Sequence, residues 1–262
     1  MVAQLPAVAS QEEQMPDKQQ RVLEYEAAGA SDQGRTRKSN EDAYGLNLRN
    51  EEGTCNFVVC DGMGGAAAGE VASRMAVETM LRAMDQSVLT RESFQHAVDA
   101  ANNSVHSSAE QDPARAGMGT TLVAMATRGN RAWVAHVGDS RAYRLRDGSL
   151  ERLTHDHSLV DEQVRLGQLT QAQAETSPMR NVITRAVGTQ DEVDADVIEF
   201  AVIPGDLYLL ASDGLMREVD DEHIAAILRA SGELEQTCAQ LIEAANQAGG
   251  RDNITCLLAR AR

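Results

Sequence analysis

The chain has 262 residues, 42% hydrophobic and 24% charged, enough for one large domain or two small ones with a full buried core. Its 24 Lys and Arg against 40 Asp and Glu leave a formal charge of −16. That sign disfavours both sequence-independent binding to nucleic-acid phosphates and anionic membrane surfaces, since both need a positive field.

Residues 1–21, rich in Gln, Glu and Pro, read as a mobile tail. The opening MVAQLPAVAS lacks the basic start and continuous apolar stretch of a secretory signal, and no apolar run reaches membrane-spanning length. The run Asn56-Phe57-Val58-Val59-Cys60 is a buried strand by its apolar, β-rich composition. Over 67–84, Val77, Met80, Leu81 and Met84 fall on one helical face. Phe94, Ala97, Val98, Ala101 and Val105 do the same over 91–108. The methionines of the first helix read as core packing.

The period then changes. Thr121–Thr127 and Arg131–Val137 are two strands joined by a turn at Arg128-Gly129-Asn130. Ala142–Arg146 and Leu150–Leu153 flank Asp147-Gly148-Ser149, where Asp-Gly favours a hairpin. Leu207–Ala211 is a further strand. Ile224, Ile227 and Leu228 mark a helix, and Leu234, Cys238, Leu241, Ile242 and Ala245 a longer one that stops at Gly249-Gly250. Ile254–Ala259 is the last strand. Consecutive hairpins and segregated helix pairs predict α+β layers over a doubly wound parallel sheet. The four cysteines, Cys55, Cys60, Cys238 and Cys256, form no CxxC pair, so neither a zinc knuckle nor a redox motif is expected. A reduced, cytoplasmic protein is the expectation.

Three aspartates stand at strand ends. Asp61 opens Asp61-Gly62-Met63-Gly64-Gly65, Asp213 opens Asp213-Gly214, and Asp252 precedes the last strand. Loops at such places carry function, yet Asp-Gly is also plain turn chemistry, and for Asp147-Gly148 that suffices. If the three converge, their repulsion calls for a bound cation, and all-oxygen ligands suit Mg²⁺ or Mn²⁺. Spacing alone does not show convergence. Arg37 precedes Asn40-Glu41-Asp42, and its planar fork suits phosphate oxygens, although from the residues alone a solvated charge run is the favoured reading. Val137-Gly138-Asp139-Ser140-Arg141 reads by itself as a strand-end turn.

Eight segments in order resemble one family. They are SDQGRTRKSNEDAYG (31–45), VVCDGMGGAAAGEVAS (58–73), GMGTTL (117–122), HVGDSRAYRLRDG (136–148), LTHDHSLV (153–160), NVITRAVGT (181–189), LLASDGL (209–215) and GGRDNIT (249–255). Together they resemble the PPM-type (PP2C-like) metal-dependent Ser/Thr protein phosphatases in their compact bacterial form. The resemblance spans essentially everything after residue 22.

It implies a four-layer α-β-β-α sandwich of two mainly antiparallel sheets over residues 22–262, with a flap at 161–179. It also implies two Mn²⁺ or Mg²⁺ ions, with Asp61 bridging them, Gly62 offering its backbone carbonyl, and Asp213 and Asp252 as further ligands. Glu41 and Asp42 match the pair that holds metal-bound water, Arg37 matches the arginine on the substrate phosphate, and Asp139 matches a ligand, shared with Asp213, of a third, weaker ion. The implied reaction is hydrolysis of phosphoserine and phosphothreonine on proteins by metal-activated water, without a phosphoenzyme. The implied partners are phosphorylated proteins, a Ser/Thr kinase and its targets, approached by a monomer.

Two departures stand out. Met63 occupies the place of a histidine credited as general acid in other members, which leaves the proton donor open, and Ala66 follows the glycine run where a polar residue is common. His155 and His157 read as hydrogen-bonding the flap base. The competing functions are a catalytically inactive binding module of the same fold and a metal-dependent phosphodiesterase or nuclease. The first is expected to have lost its carboxylates, and the second to carry a basic channel.

Overall fold

The computed structural model describes residues 23–48, 54–64, 68–85 and 89–262. The expected tail, 1–21, and the Ala66 departure lie outside the described residues.

In chain order the elements are β1 (Tyr25–Asp32), β2 (Asp42–Asn47), β3 (Thr54–Met63), α1 (Ala68–Asp85), α2 (Arg91–Gln111), β4 (Gly119–Thr120), β5 (Leu122–Arg128), β6 (Arg131–Val137), β7 (Arg141–Arg146), β8 (Ser149–Arg152), α3 (Leu159–Arg165), α4 (Gln171–Glu175), β9 (Asp196–Ala201), β10 (Leu207–Ala211), α5 (Asp213–Met216), α6 (Asp221–Arg229), α7 (Leu234–Ala248) and β11 (Ile254–Ala261). One sheet runs β1-β11-β10-β7-β8 and the other β2-β3-β5-β6-β9, with β4 beside β3. Every named strand pairing is antiparallel.

Side-chain alternation explains the layers. On β3, Phe57 and Val59 face the other sheet and join Met125, Val134, Tyr208, Leu210 and Leu257 in the central core. Their neighbours Val58 and Cys60 face outward, under α1 and α2. Leu209, Cys256 and Leu258 are likewise covered by α6 and α7. Strands buried on both faces lose the apolar/polar alternation and read as continuous apolar runs. The result is the α-β-β-α sandwich expected. Thr90 and Ser93 form a capping box at the start of α2, satisfying otherwise orphaned amides. Gly250, at φ 53°, closes α7 with its N–H on the Ala245 carbonyl at 3.0 Å.

β1, β2 and β9 were not foreseen from apolar pattern. Each is a sheet edge, and most of their residues are half-buried, so YEAAGASD, DAYGLN and DVIEFA carry no continuous hydrophobic run. Among the described residues, no helix is long and apolar enough to cross a membrane.

The register places the chemistry. The carboxyl end of β3 meets the amino end of β2, with Asp42 directly opposite Asp61. The end of β10 meets the start of β11, with Ala211 opposite Cys256, and the end of β6 lies beside the start of β5, with Val137 opposite Leu122. Asp61, Asp139, Asp213 and Asp252 therefore emerge at one end of the sandwich.

Candidate active site

Asp61 is fixed through its backbone: its N–H donates to Thr121 Oγ1 at 2.9 Å, and its carbonyl accepts from the Thr121 N–H and the Thr120 hydroxyl, each at 2.9 Å. Thr121 Oγ1 lies 2.7 Å from Ser140 Oγ, a hydroxyl link from the Asp61 strand to the Asp139 loop. Gly62 must be glycine. A Cβ there would stand 2.0 Å from the Gly69 carbonyl oxygen and 2.7 Å from that of Glu41, which donors at Gly62 N and Ser73 Oγ satisfy at 3.1 and 2.6 Å. Glu41 is turned to the first turn of α1, its Oε2 2.7 Å from where a Cβ of Gly69 would lie.

Asp42 is buried. Its Oδ2 accepts from Ser212 Oγ at 2.7 Å, while Oδ1 finds no donor. Burial raises its pKa to about 6, with the Asp252 charge adding to the rise and hydrogen bonds from Thr255 and Ser212 opposing it. Asp61 is pushed well above the carboxylate range by burial and then by the charges of Asp42, Asp213, Asp139 and Asp252. Asp213 is raised in the same way, by burial first and then Asp139, and its Oδ1 also finds no donor. These carboxylates thus sense one another, as the sequence spacing left undecided.

Their only close countercharges among the described residues are arginines. Arg37, half exposed on the loop between β1 and β2, donates to Asp252 at 2.8 Å. Arg217 pairs with Asp213 and reaches Asp139 Oδ2 at 3.3 Å and Asp252 Oδ2 at 3.4 Å. Among the described residues, no three His, Cys, Asp or Glu side chains stand as a ready-made metal cage. The carboxylates are instead drawn onto these guanidiniums. The donor set still fits hard divalent ions: it is all oxygen, and two buried carboxylate oxygens lack any donor.

Three residues were not singled out from sequence. Ser212 ties Asp42 to β11, since its Oγ also accepts from the Thr255 N–H at 2.9 Å. Asn253 clamps the Arg37 loop, accepting from Glu41 N–H at 2.9 Å and donating to the carbonyls of Gln33 and Ser39 at 2.9 and 2.8 Å. Arg217 is the third. Its place four residues after Asp213, at a helical spacing, was the available signal.

His157 is buried and holds the base of the segment containing α3 and α4. Its N–H donates to the Gly138 carbonyl at 2.7 Å, its Nδ1 accepts from Gly138 N–H at 3.3 Å, and its carbonyl accepts from Thr184 at 2.8 Å. His155 is exposed. A cleft of about 1130 Å³ opens between this segment and the carboxylates, with Arg37, Asp213 and Asp252 on one wall and Asp161, Ala174 and Arg180 on the other. All four cysteines are buried and free, and none lines the cleft.

Known proteins share this sequence and architecture. The family model "Protein phosphatase 2C" matches residues 30–259. The protein phosphatase PhpP of Streptococcus pneumoniae is 40% identical over 233 residues, covering 87% of this chain and 94% of its own. The Listeria monocytogenes serine/threonine phosphatase stp is 37% identical over 234 residues, covering 87% and 92%. The crystal structure of the Mycobacterium tuberculosis serine/threonine phosphatase PstP/Ppp superposes with a TM-score of 0.84 at 37% identity, over 91% of this chain and 99% of that one. A catalytic domain of serine/threonine protein phosphatase PstP, solved in complex with two manganese ions, gives 0.82 at 36% identity over 91% and 99%. A single-sandwich architecture, eight ordered motifs and these matches converge: the chain belongs to the protein phosphatase 2C (PPM) family and is a bacterial-type protein serine/threonine phosphatase.

Proposed function

We propose that the chain transfers the phosphoryl group of phosphoserine and phosphothreonine in proteins directly to water, with no phosphoenzyme, at a centre of two Mn²⁺ or Mg²⁺ ions. The observation that carries this is the group of buried carboxylates with uncompensated oxygens at the mouth of a cleft. A related PstP catalytic domain holds two manganese ions, which supports the count. Asp61, the Gly62 carbonyl, Asp213 and Asp252 hold the ions. When bound, such ions lower the pKa of water and neutralise charge on a transferring phosphoryl group.

The chain's own groups do the rest. Asp42 keeps one oxygen on Ser212 and offers the other, Oδ1, to orient water. Glu41, anchored through its backbone by Asn253, Ser73 and Gly62, serves the same water. Arg37, half exposed beside Asp252, grips phosphate oxygens with two parallel N–H donors. The flap, 161–179, closes the cleft over the substrate, and Arg180, directly after it, adds a cation to the same wall. Buried cysteines leave no thiol nucleophile at the site. The retained carboxylates weigh against an inactive binding module, and the net charge of −16 against a nuclease. A phosphorylated Ser/Thr kinase and its targets are the proposed substrates.

The test is phosphate release from a phosphothreonine peptide by metal-depleted protein, with Mn²⁺ and with EDTA. Release with Mn²⁺ and none with EDTA is expected. A folded protein that binds Mn²⁺ yet leaves this peptide and p-nitrophenyl phosphate intact overturns the proposal, and faster cleavage of a bis-ester redirects it to phosphodiesters.

A further inference from the structure

The sandwich neutralises the outer face of its own carboxylate cluster. Arg217 follows the short helix α5, and its side chain turns back over that helix onto Asp213, four residues earlier. The same Nη2 lies 3.3 Å from Asp139 Oδ2, and Nη1 lies 3.4 Å from Asp252 Oδ2. Asp139 and Asp213 are the two carboxylates that the family resemblance assigns to a third, weaker ion.

Arg217 and a metal at that position exclude one another, since both need the outward oxygens of Asp139 and Asp213. The guanidinium is tethered, so its effective concentration is high, and it is charged at every accessible pH. It therefore competes with a weakly bound ion for the oxygens that both need. The division of oxygens on Asp213 fits this arrangement. Oδ2 is taken by Arg217, while the buried Oδ1 has no donor and is left for the inner centre. The Asp139 loop is meanwhile held by the His157 N–H on the Gly138 carbonyl, by the Gly138 N–H on the His157 ring Nδ1 and by the Ser140–Thr121 hydroxyl contact, so its backbone is fixed on both sides of Asp139.

We propose that Arg217 stands in for the third ion, so that this phosphatase binds two divalent ions and no third. The inference rests on the two-ion reading above. It assigns Arg217 a positioning role, as a fixed cation that holds Asp139 and Asp213.

The experiment counts Mn²⁺ bound per chain, from free Mn²⁺ measured by electron paramagnetic resonance up to millimolar metal. The proteins are the wild type, Arg217→Ala, Arg217→Lys, Asp139→Asn, and Arg217→Ala combined with Asp139→Asn. Two ions are expected on the wild type, Arg217→Lys and Asp139→Asn, three on Arg217→Ala, and two again on the double variant. Three ions on the wild type, or two on folded Arg217→Ala, overturn the inference and leave the two-ion centre standing. Fewer than two on the wild type overturn that centre and this inference with it. Should Arg217→Ala fail to fold, Asp139→Asn decides: an unchanged count supports the inference, and the loss of one ion overturns it.

Discussion

Two ends of this sandwich bury aspartates and treat them in opposite ways. Asp206, between β9 and β10, is almost wholly buried and takes four donors: Arg146 Nε and Nη2 at 2.7 and 2.6 Å, Tyr208 Oη at 2.8 Å and Ile203 N–H at 3.0 Å. Burial works to raise its pKa, but the hydrogen bonds from Arg146, Ile203 and Tyr208 outweigh it, and the carboxyl is held below the usual range. At the other end, burial and mutual repulsion leave Asp61 and Asp213 raised. The same scaffold can satisfy a buried carboxylate and does so where only folding is at stake. Leaving charge unsatisfied at one end is therefore a property of that site, and it is the property a divalent cation answers.

The sharpest way to break this contrast is Asp61→Asn. Turnover with Mn²⁺ is expected to fall by roughly 10³-fold or more. In EDTA the same variant is expected to melt higher than the wild type, because it removes a buried charge that repels its neighbours, whereas with saturating Mn²⁺ the order inverts. Calorimetry under both conditions reads this, and retained turnover or a lower melting temperature in EDTA would undo the contrast.

Asp206→Asn is the mirror experiment. It strips a paired carboxylate and is expected to cost about 3 kcal/mol of stability by denaturant titration, with kcat on the phosphopeptide unchanged. A stable variant with impaired turnover would show that the two ends are not separable.

A third effect, confined to acid pH, concerns His136, a neutral buried group packed on His157 with ring centroids 4.6 Å apart. Neither of its ring nitrogens has a hydrogen-bond partner. Burial, then the His157 charge, lowers its pKa to about 3, against about 6.5 in an unfolded chain. Below pH 6.5 the unfolded chain takes up a proton that the folded one refuses. Its contribution is thus complete above 6.5 and is lost toward pH 3 by about 1.4 kcal/mol per pH unit. The raised carboxylates act with the opposite sign, so the quantity to measure is the difference between wild type and His136→Leu in EDTA. A difference that stays flat from pH 7 to 4 would refute this accounting.

The sequence was most legible where burial was two-sided. β3, β5, β6, β10 and β11 announce themselves as apolar runs because both faces are covered, and α1, α2 and α7 by their single apolar stripes. The edge strands β1, β2 and β9 did not: β1 and β2 are mostly small and polar, and in β9 the exposed Glu199 separates Val197 and Ile198 from Phe200, so none carries a continuous apolar run. The candidate site was legible as a set of residue types at strand ends, through Asp-Gly steps and ordered motifs. Asn253 was hidden, because an asparagine whose side chain bridges two loops looks in sequence like any turn residue.

By itself, then, the sequence determined the layers, the strand-end aspartates and the family, because these depend on local periodicity and short motifs. Tertiary structure alone decided that Asp42 faces Asp61 across β2 and β3, that Asp213 and Asp252 arrive beside them, and that Arg217 lies among Asp139, Asp213 and Asp252. Antiparallel register brings together groups separated by up to about 200 residues, and the field each carboxylate feels is the sum over those neighbours. No local pattern encodes that sum, so which aspartates are satisfied and which wait for a cation emerges only once the sheets are paired.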